Sequence, residues 1–563
     1  MFDTKTHKRI PAGLLFCLCA IVGAVCFIGI YGAGVLDFTN TGWLFDNDHD
    51  LRQHYIGWCH FRTDPWHFPI GLIDSLSYPN SMSVIYTDSI PLFAVMFKII
   101  SPYLPQTFQY FGLFGIMSFM LMGGFSSILL RRFINDDFIC AIGSVFYVLS
   151  APVIQRMYYH TALSAQWLIV AALVLWVYNS QIVSDARRIA YWGILAFLCV
   201  AIHSYFLPMV GMIMGAVLIT QYFEKAKLIV ILSEPVAFCA GGLLNLFILG
   251  GFYGDTSPVG PGLGTFGSNL NTFINPWEIG RILPQLPLQN MFQYEGMAYL
   301  GAGILLLYIV VAIGIVFRAV RKIPEEAFHS SKIYGRVTVG LVAVSFAVAV
   351  IPNISFNELT LIWLPLPGIV EKVMGIFRSN GRLVWPAMYV LMTCAISFAA
   401  YTFRRYGFVA RIIVAGALIL QITDMSDAFR ERYDLYTSLH PIETMWDDEE
   451  AGSFTEGAKE FIFLYPDNDI TMQTAYYGFL HNMRQNNFYF ARDIDDKVRE
   501  AIDLYYAELD NGNIRQSAIY VLRDEDYDKD PSYYEGLDVS IMRKSGHVMF
   551  KADPKVELVE KGK

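Results

Sequence analysis

Long apolar stretches alternate with short polar segments over the first three quarters of the chain. A membrane-spanning helix needs about 20 mostly apolar residues, and shorter runs occur where the chain dips into the membrane. We divide the stretch from 189 to 222 at His203 and Pro208, because a polar turn and a proline favour a break. The pattern then predicts eleven transmembrane helices, over Pro11–Leu36, Phe108–Leu130, Phe138–Val153, Ala162–Val177, Ile189–Ile202, Phe206–Tyr222, Leu228–Phe252, Tyr299–Phe317, Val337–Ile351, Leu383–Tyr401 and Phe408–Ile422.

The polar last quarter of the chain has a different pattern, with no run long enough to span a membrane. Apolar positions recur on one face over Lys497–Leu509, which predicts a helix. Ser517–Leu522 is predicted as a strand, and Val539–Met542 with His547–Lys551 as a hairpin that turns at Ser545-Gly546. The tail is therefore expected to be a small α/β domain.

Composition supports this division into a membrane body and a polar tail. The chain has 563 residues, of which 55% are hydrophobic and 16% charged, against roughly 25% charged residues in soluble proteins. The net charge of −9 divides into −14 after residue 423 and +5 before it, which argues against a nucleic-acid binder. We expect an α-helical polytopic membrane body over 1–423, with a large first outer loop over 37–107, and a soluble α/β domain over 424–563.

The distribution of lysine and arginine predicts the orientation of the body. With the break at His203, the basic clusters all fall on one side, which is expected to be the cytoplasm. The N-terminus then lies inside and the tail outside. The first span lacks a small-residue cleavage site and is expected to remain as an anchor. Seven of the eight cysteines lie in predicted spans, so no disulfide framework is predicted, and a bacterial cytoplasmic (inner) membrane is the expected location.

Three carboxylates at alternate positions, Asp46, Asp48 and Asp50, follow the first span. Near a membrane interface the pKa of a carboxyl group rises, and such a group can act as a general base. Spaced acids can also hold a divalent cation, although an EF-hand is excluded because Leu51 stands where that loop needs glycine. A solvated acidic loop that ends the first helix explains the pattern equally well.

Other polar residues are candidates for binding. Arg378 and Arg382, four positions apart, are expected to share a helix face and to clamp a phosphate or diphosphate. Snorkelling to anionic lipid is the alternative. His160 and His203 stand in polar clusters that either line a cavity or cap short helices. Glu234, a carboxylate inside a predicted span, is either functional or paired with a neighbouring helix.

These residues together resemble the GT-C class of membrane glycosyltransferases, which use polyprenyl-phosphate-linked sugar donors. In that class a catalytic aspartate follows the first transmembrane helix in a long outer loop. Several runs are also similar to a bacterial family of polytopic membrane proteins of unsettled function, namely Asp50–Trp58, Pro65–Gly71, Thr87–Pro91, Phe108–Gly112, Tyr294–Gly301 and Phe377–Arg382.

The resemblance implies an inverting transfer of a sugar from a polyprenyl-phosphate donor to a cell-envelope glycan or glycolipid acceptor at the outer face. Asp50 is the implied base, with Asp46 and Asp48 as alternatives. Some members of the class need a divalent metal such as Mg or Mn, which Asp48 or Asp88 would hold. The implied substrate-binding residues are Gln53, His54, Asp88, His160, His203, Arg378 and Arg382.

Two other functions remain open at this stage. A transporter or flippase for a lipid-linked sugar would show internal repeats and polar groups near the membrane midplane, and we find no repeat. A noncatalytic scaffold of an envelope-polysaccharide assembly complex would use the acidic tail for binding; in an enzyme the tail would bind the acceptor, form a lid or act as a structural cap. We predict that Asp50, Arg378 and Arg382 converge on one outward-facing cavity that opens to lipid.

Overall fold

The computed structural model describes residues 9–45, 50–182, 184–254, 262–320, 332–438, 442–492 and 494–553. Helices dominate this part of the chain, and their bounds are α1 Ala12–Tyr31, α2 Leu51–Thr63, α3 Pro91–Ile99, α4 Phe111–Arg131, α5 Asp137–Val148, α6 Ala151–Tyr159, α7 Trp167–Val177, α8 Asp185–Ile202, α9 Phe206–Phe223, α10 Leu228–Leu249, α11 Ala302–Val320, α12 Lys332–Val350, α13 Gly368–Gly375, α14 Trp385–Thr402, α15 Gly407–Asp424, α16 Ser426–Thr437, α17 Glu449–Thr455, α18 Thr471–His481, α19 Asp495–Asp510, α20 Asp524–Tyr527 and α21 Pro531–Glu535.

The strands are short and form separate sheets. They are β1 Leu72–Ser77, β2 Asn80–Ser83, β3 Asn353–Phe356, β4 Leu359–Trp363, β5 Glu460–Phe463, β6 Arg484–Gln485, β7 Ala518–Arg523, β8 Val539–Lys544 and β9 His547–Ala552. The pairs β1–β2 and β3–β4 are antiparallel hairpins, and the tail strands form a sheet in the order β6-β5-β7-β9-β8. In that sheet β5 pairs in parallel with β6 and β7, whereas β9 pairs antiparallel with β7 and β8.

The chain is a membrane protein, but the predicted number of eleven spans is not confirmed. Every predicted run contains a helix. By length and composition, seven helices of the described residues can cross a membrane, or eight if the bent pair α5 and α6 is one span. Of the other predicted spans, α7 and α11 are apolar but shorter. α8 has 18 residues, begins with Asp185, Arg187 and Arg188, and is not among the helices apolar enough to cross a membrane.

The predicted break before α9 is confirmed, and histidine rather than proline explains it. α8 ends at Ile202, and His203 has an extended backbone with φ −162° and ψ 122°. The Nδ1 atom of His203 accepts a hydrogen bond of 3.2 Å from the backbone N–H of Tyr205. Pro208 lies inside α9, near its first turn, where a missing N–H removes no helical hydrogen bond.

The tail elements confirm the predictions made from the sequence. α19 covers the predicted helix, β7 covers the predicted strand, and β8 and β9 form the predicted hairpin. Both turn residues, Ser545 and Gly546, have positive φ, at 51° and 76°. Two positive φ angles are typical of the tight turns that match the twist of a hairpin.

The chain folds into two compact units. The helical unit comprises Met1–Trp43, Gln109–Asn245 and Gly260–Leu439, and the loop–tail unit comprises Leu44–Phe108, Leu246–Val259 and His440–Lys563. Most of the first outer loop therefore packs with the tail. α16, which the sequence assigned to the tail, belongs to the helical unit, where the guanidinium of Arg432 donates to Gln155 at 2.7 Å.

Small residues allow close packing of α1 and α4 in the helical unit. A Cβ atom added at Gly23 would lie 2.2 Å from the carbonyl oxygen of Phe119, and one added at Gly123 would lie 2.3 Å from that of Cys19. The two backbones therefore touch directly at glycines on both helices. Such contacts replace the hydrophobic driving force that is missing between helices in lipid.

In the loop–tail unit, Gly57 of α2 lets the segment Thr87–Ile90 cross the helix. A Cβ atom at Gly57 would lie 2.4 Å from the side chain of Thr87 and 2.7 Å from the Oγ of Ser89. We predict that Gly57→Ala lowers the free energy of unfolding by about 1–3 kcal/mol, because the side chain overpacks this crossing. Thermal unfolding of the purified protein in detergent measures the effect.

The matched control for this substitution is Gly452→Ala. Gly452 lies in α17, and nothing comes within 4 Å of a Cβ atom added there. This variant is expected to leave stability unchanged or raise it by up to about 1 kcal/mol, since alanine favours a helix. Equal stability of the two variants would contradict the assigned packing of Gly57.

Candidate functional site

Asp50 and His54 lie one turn apart at the start of α2 in the loop–tail unit. Asp50 precedes the helix and is exposed, whereas His54 is fully buried. A carboxylate oxygen of Asp50 lies within 4.8 Å of a ring nitrogen of His54. Residues four apart on a helix are neighbours, so this spacing places an acid beside an imidazole. The predictions for Asp46 and Asp48 lie outside the described residues.

The side-chain amide of Gln53 connects α2 to two other segments of the loop–tail unit. Gln53 is buried, and its side-chain N–H groups donate to the carbonyl oxygens of Tyr86 and Tyr489 at 3.3 and 3.1 Å. An amide nitrogen has two donors, so both are used. Gln53 thereby joins α2 to the outer loop and to the tail.

Asp88 lies in the segment that crosses α2, in a left-handed backbone conformation. Its φ is 53°, and that of Ile90 is also 53°. Aspartate tolerates this region, but a β-branched isoleucine rarely adopts it. The hydroxyl of Ser89 donates to the carbonyl oxygen of His54 at 2.7 Å, which fixes the segment against the helix. Strained residues of this kind concentrate at functional sites.

In the helical unit, Glu295 forms ion pairs with two arginines. Its Oε2 accepts from Arg156 Nη2 at 2.7 Å and from Arg382 Nε at 2.6 Å. The three side chains are between 3% and 9% exposed. Burial by itself would raise the pKa of Glu295, but the charges of Arg156 and Arg382 outweigh it and hold that pKa well below its usual range. The cluster therefore carries two positive charges and one negative charge.

His160 and His203 lie next to each other in the helical unit. Their ring centroids are 5.0 Å apart, and their ligand atoms lie within 4.8 Å. Burial, and then the charges of Arg382 and Arg156, hold the pKa of His160 well below 6.5, so its imidazole is neutral at pH 7. Because Nδ1 of His203 accepts from a backbone N–H, the proton of a neutral His203 is on Nε2.

The prediction that Arg378 and Arg382 share a helix face is wrong. α13 ends at Gly375, and Ser379, with φ −84° and ψ 59°, separates it from the short 3₁₀ helix that contains Arg382. Arg382 is buried, and its guanidinium lies 4.6 Å from the centroid of the Tyr205 ring. Arg378 is partly exposed and lies 5.2 Å from the ring centroid of Phe266. The two arginines are thus in different environments.

From the sequence, Glu234 was either a functional residue or a partner of a neighbouring helix. The structure supports the second interpretation. The fully buried carboxylate accepts from Arg188 Nε at 2.5 Å and from Gln221 Nε2 at 2.9 Å. Arg188 also contacts Asp185 at 3.0 Å. Both carboxylate oxygens of Glu234 have partners, as expected of a structural contact between helices.

Sequence reasoning did not select Glu295 or Asp424 as functional residues. Asp424 is fully buried at the end of α15, where its carboxylate accepts from Tyr299 Oη at 2.7 Å and from the N–H groups of Ile282 and Ala302 at 2.9 and 3.1 Å. These bonds fix both ends of the segment that contains Glu295. The run Tyr294–Gly301, one of those that resemble the bacterial family, contains Glu295 and was the signal that could have selected it.

The described residues supply some of the ligands that a metal ion needs, but not a complete set. In the loop–tail unit, Asp50 with His54 offers a carboxylate and an imidazole. The protonated Nε2 of His203 suits donation to a ligand oxygen better than metal binding. Mg and Mn prefer oxygen ligands, so water or substrate oxygens would have to complete their coordination at Asp50. Asp48, a predicted ligand, lies outside the described residues.

We predict that Glu234→Gln destabilises the protein and leaves any catalytic turnover of the folded protein unchanged. Breaking a buried ion pair costs about 3–5 kcal/mol, and the lower end applies because Asp185 still contacts Arg188. Denaturant unfolding measures the loss, with the exposed Glu224→Gln as control. Loss of turnover without loss of stability would contradict the structural role.

A second prediction concerns Glu295→Gln and pH. The folded pKa of Glu295 is lowered, so its ionised form stabilises the fold above the ordinary glutamate pKa of about 4.3, and this contribution is lost as the pH falls through the lowered value. Glu295→Gln should therefore cost about 3–5 kcal/mol at pH 7 and progressively less below about pH 4. Unfolding measured from pH 7 to pH 3 tests this.

The exposed Glu358 of the same unit provides the control for that experiment. Glu358→Gln is expected to change the free energy of unfolding by less than about 0.5 kcal/mol at any of these pH values. A cost of Glu295→Gln that does not vary with pH would mean that the lost hydrogen bonds, and not the ionised carboxylate, stabilise the cluster.

The chain is similar in structure to an oligosaccharyltransferase from Archaeoglobus fulgidus. Its apo crystal structure matches with 11% identity and a TM-score of 0.44, over 92% of this chain and 70% of the other. The complex of that enzyme with Zn and sulfate matches with 12% identity and a TM-score of 0.40, over 95% and 73%. Likeness at this level carries no information about activity.

No curated protein matches the chain. Two family models do match, and both describe domains without an assigned function. Residues 452–549 match the DUF6311 C-terminal domain. Residues 20–426 match the domain of unknown function DUF6311. Because this second match covers more than half of the sequence, the chain belongs to the DUF6311 family.

Proposed function

We propose that the protein is an inverting glycosyltransferase of the GT-C type. It would move a sugar from a polyprenyl-phosphate donor to a cell-envelope glycan or glycolipid at the outer face of a bacterial inner membrane. The N-terminus would be cytoplasmic and the tail extracytoplasmic, as the distribution of lysine and arginine favours. The observation that carries the proposal is the uneven charge of the buried cluster around Glu295.

Two buried arginines share a single carboxylate in that cluster. Uncompensated buried charge is costly, so buried charges are normally balanced by partners. A lipid-linked phosphate would supply the missing negative charge, and guanidinium groups are well suited to phosphate oxygens. The Nε2–H of His203 would add a donor. We assign to Arg382, held in place by Glu295, the stabilisation of the phosphate as it leaves.

Asp50 is the base in this proposal. Its carboxylate would take the proton of an acceptor hydroxyl, and the hydroxyl oxygen would form a bond to the anomeric carbon of the donor sugar. The bond between that carbon and the phosphate oxygen breaks at the same time, and the lipid phosphate keeps the electron pair. The position of Asp50 after the first span, where the GT-C class has its catalytic aspartate, supports this role, as does the exposure of Asp50 at the start of α2.

A divalent metal such as Mg or Mn, if bound, would supply charge stabilisation for the phosphate. Asp50, His54 and Asp88 are the described residues of the loop–tail unit that would contribute ligands. The function proposed above does not depend on this contribution.

We predict that Asp50→Asn lowers the rate of sugar transfer by about 10²–10⁴-fold, because the amide cannot accept the proton. The assay uses the full chain in lipid nanodiscs with a panel of radiolabelled polyprenyl-phosphate sugars. Asp37→Asn is the matched control, since Asp37 is an exposed acid after α1 whose carboxylate is bonded within its own turn to Thr39. The control variant is expected to retain full activity.

The same assay separates the alternative functions. Transfer that persists in Asp50→Asn would overturn the assignment of the base. If no donor is consumed while a lipid-linked sugar crosses proteoliposomes, the protein is a transporter. If neither transfer nor transport occurs and the protein is recovered with other envelope-assembly proteins, it is a scaffold.

A further inference from the structure

A cavity of about 390 Å³ lies in the loop–tail unit, and its lining does not include Asp50. It is bordered by the last turn of α2, by β1, by the start of β5 and by the turn between α18 and β6. Its volume falls in the range of small-molecule sites, about 300–1,000 Å³. No role predicted from the sequence involves these residues.

The charges that line the cavity balance. Lys459 and Arg484 carry positive charge, and Asp64 and Glu460 carry negative charge. The two oxygens of Glu460 accept from Arg484 at 3.0 Å and from Arg515 at 3.4 Å. A site for phosphate or another anion needs an excess of positive charge. The lining therefore suits a neutral ligand that has many hydrogen-bonding groups.

Hydrogen bonds hold the wall of the cavity in place. His60 Nε2 lies 2.8 Å from the carbonyl oxygen of Ala475 and must donate to it, so Nδ1 accepts from the hydroxyl of Ser75, also at 2.8 Å. Burial lowers the pKa of His60, which keeps the imidazole neutral. Asp64 Oδ2 accepts from the N–H groups of Asp74 and Ser75 at 2.6 and 3.1 Å. The wall is thus rigid before any ligand binds.

The rest of the lining combines an aromatic ring, most of which is buried, with polar side chains. The ring of Phe479 lies 6.3 Å from that of His60 and lines the cavity. Asn482, which offers a donor and an acceptor, has a left-handed backbone with φ 56°. Lys459 is exposed and adds a donor. An apolar ring beside mixed donors and acceptors is the chemistry that recognises a sugar, with its apolar C–H face and its hydroxyl groups.

We propose that this cavity binds one or two residues of a neutral saccharide. Its identification as the acceptor of the transfer reaction rests on the function proposed above, whereas saccharide binding itself does not. The tail would then hold the acceptor while its terminal hydroxyl reacts.

The test measures binding of maltose, lactose, cellobiose and chitobiose to the full chain in nanodiscs by saturation-transfer NMR and calorimetry, with inorganic phosphate as the charged probe. The test variant combines Lys459→Met with Asn482→Gly. Glycine accepts the left-handed conformation of residue 482, so this substitution removes the amide without backbone strain. The control combines Lys529→Met with Ser545→Gly, a lysine and a left-handed residue of the same unit outside the cavity.

We expect at least one disaccharide to bind and phosphate not to compete. The test variant should weaken binding by roughly tenfold or more, because two hydrogen-bonding groups are lost, and the control should bind as the unaltered protein does. Absence of binding by all four sugars, displacement by phosphate, or equal binding by the test variant would each overturn the proposal.

The outcomes also separate this inference from the proposed function. Saccharide binding without Asp50-dependent transfer would leave the cavity assignment intact and refute the glycosyltransferase. Transfer with an acceptor KM that is unchanged in the test variant would support the enzyme and refute the cavity as its acceptor site.

Discussion

The ion pairs of Glu295 with Arg156 and Arg382 are the interaction on which the candidate site depends. One carboxylate joins the end of a broken apolar helix, α6, to the short 3₁₀ helix that leads into α14. Because all three side chains are buried, neither arginine can change partner without a large cost. The pairs therefore fix Arg382 over the ring of Tyr205. Burial, and then the charges of Arg382 and Arg156, keep the pKa of His160 low, so its imidazole stays neutral. Asp424 serves the same arrangement, since its hydrogen bonds fix the loop that carries Glu295.

In the loop–tail unit, hydrogen bonds between neutral groups and close packing fix the candidate residues in place of ion pairs. Gln53 joins three chain segments through backbone carbonyl groups, and Gly57 leaves room for the strained segment that contains Asp88. Asp50 is exposed at the start of the helix that these contacts fix. In the proposed reaction, a rigid support would let the carboxylate of Asp50 meet a hydroxyl in one orientation. Gln53 contributes to that support by joining α2 to two other segments.

Sequence patterns predicted the helices and strands well, but they predicted contacts between distant residues poorly. The helices and the tail hairpin follow from local periodicity and from turn residues such as Ser545-Gly546, which are properties of neighbouring residues. The prediction that Arg378 and Arg382 share a helix face failed because α13 ends at Gly375, before Arg378, and the 3₁₀ helix with Arg382 begins only after Ser379. Spacing alone cannot show such a break. The partner of Arg382 was missed because Glu295 lies 87 residues away in the chain. The packing of the first outer loop with the tail likewise joins residues that are distant in the sequence. Hydropathy describes neighbouring residues only, so it does not predict such packing.

The two buried acid clusters of the helical unit show how charge balance separates a structural contact from a candidate site. Glu234 and Arg188 form a buried pair of equal and opposite charge, and Gln221 completes the bonding of the carboxylate. The half-exposed Asp185 also contacts Arg188. Nothing in that pair calls for a ligand. The cluster around Glu295 differs, because two buried arginines share one carboxylate. One positive charge among these three side chains therefore has no matching negative charge within the cluster. Retaining such an excess costs stability, and a bound anion or a developing negative charge would offset part of that cost. This contrast, drawn within one unit of one chain, makes the cluster around Glu295 the stronger candidate for phosphate recognition.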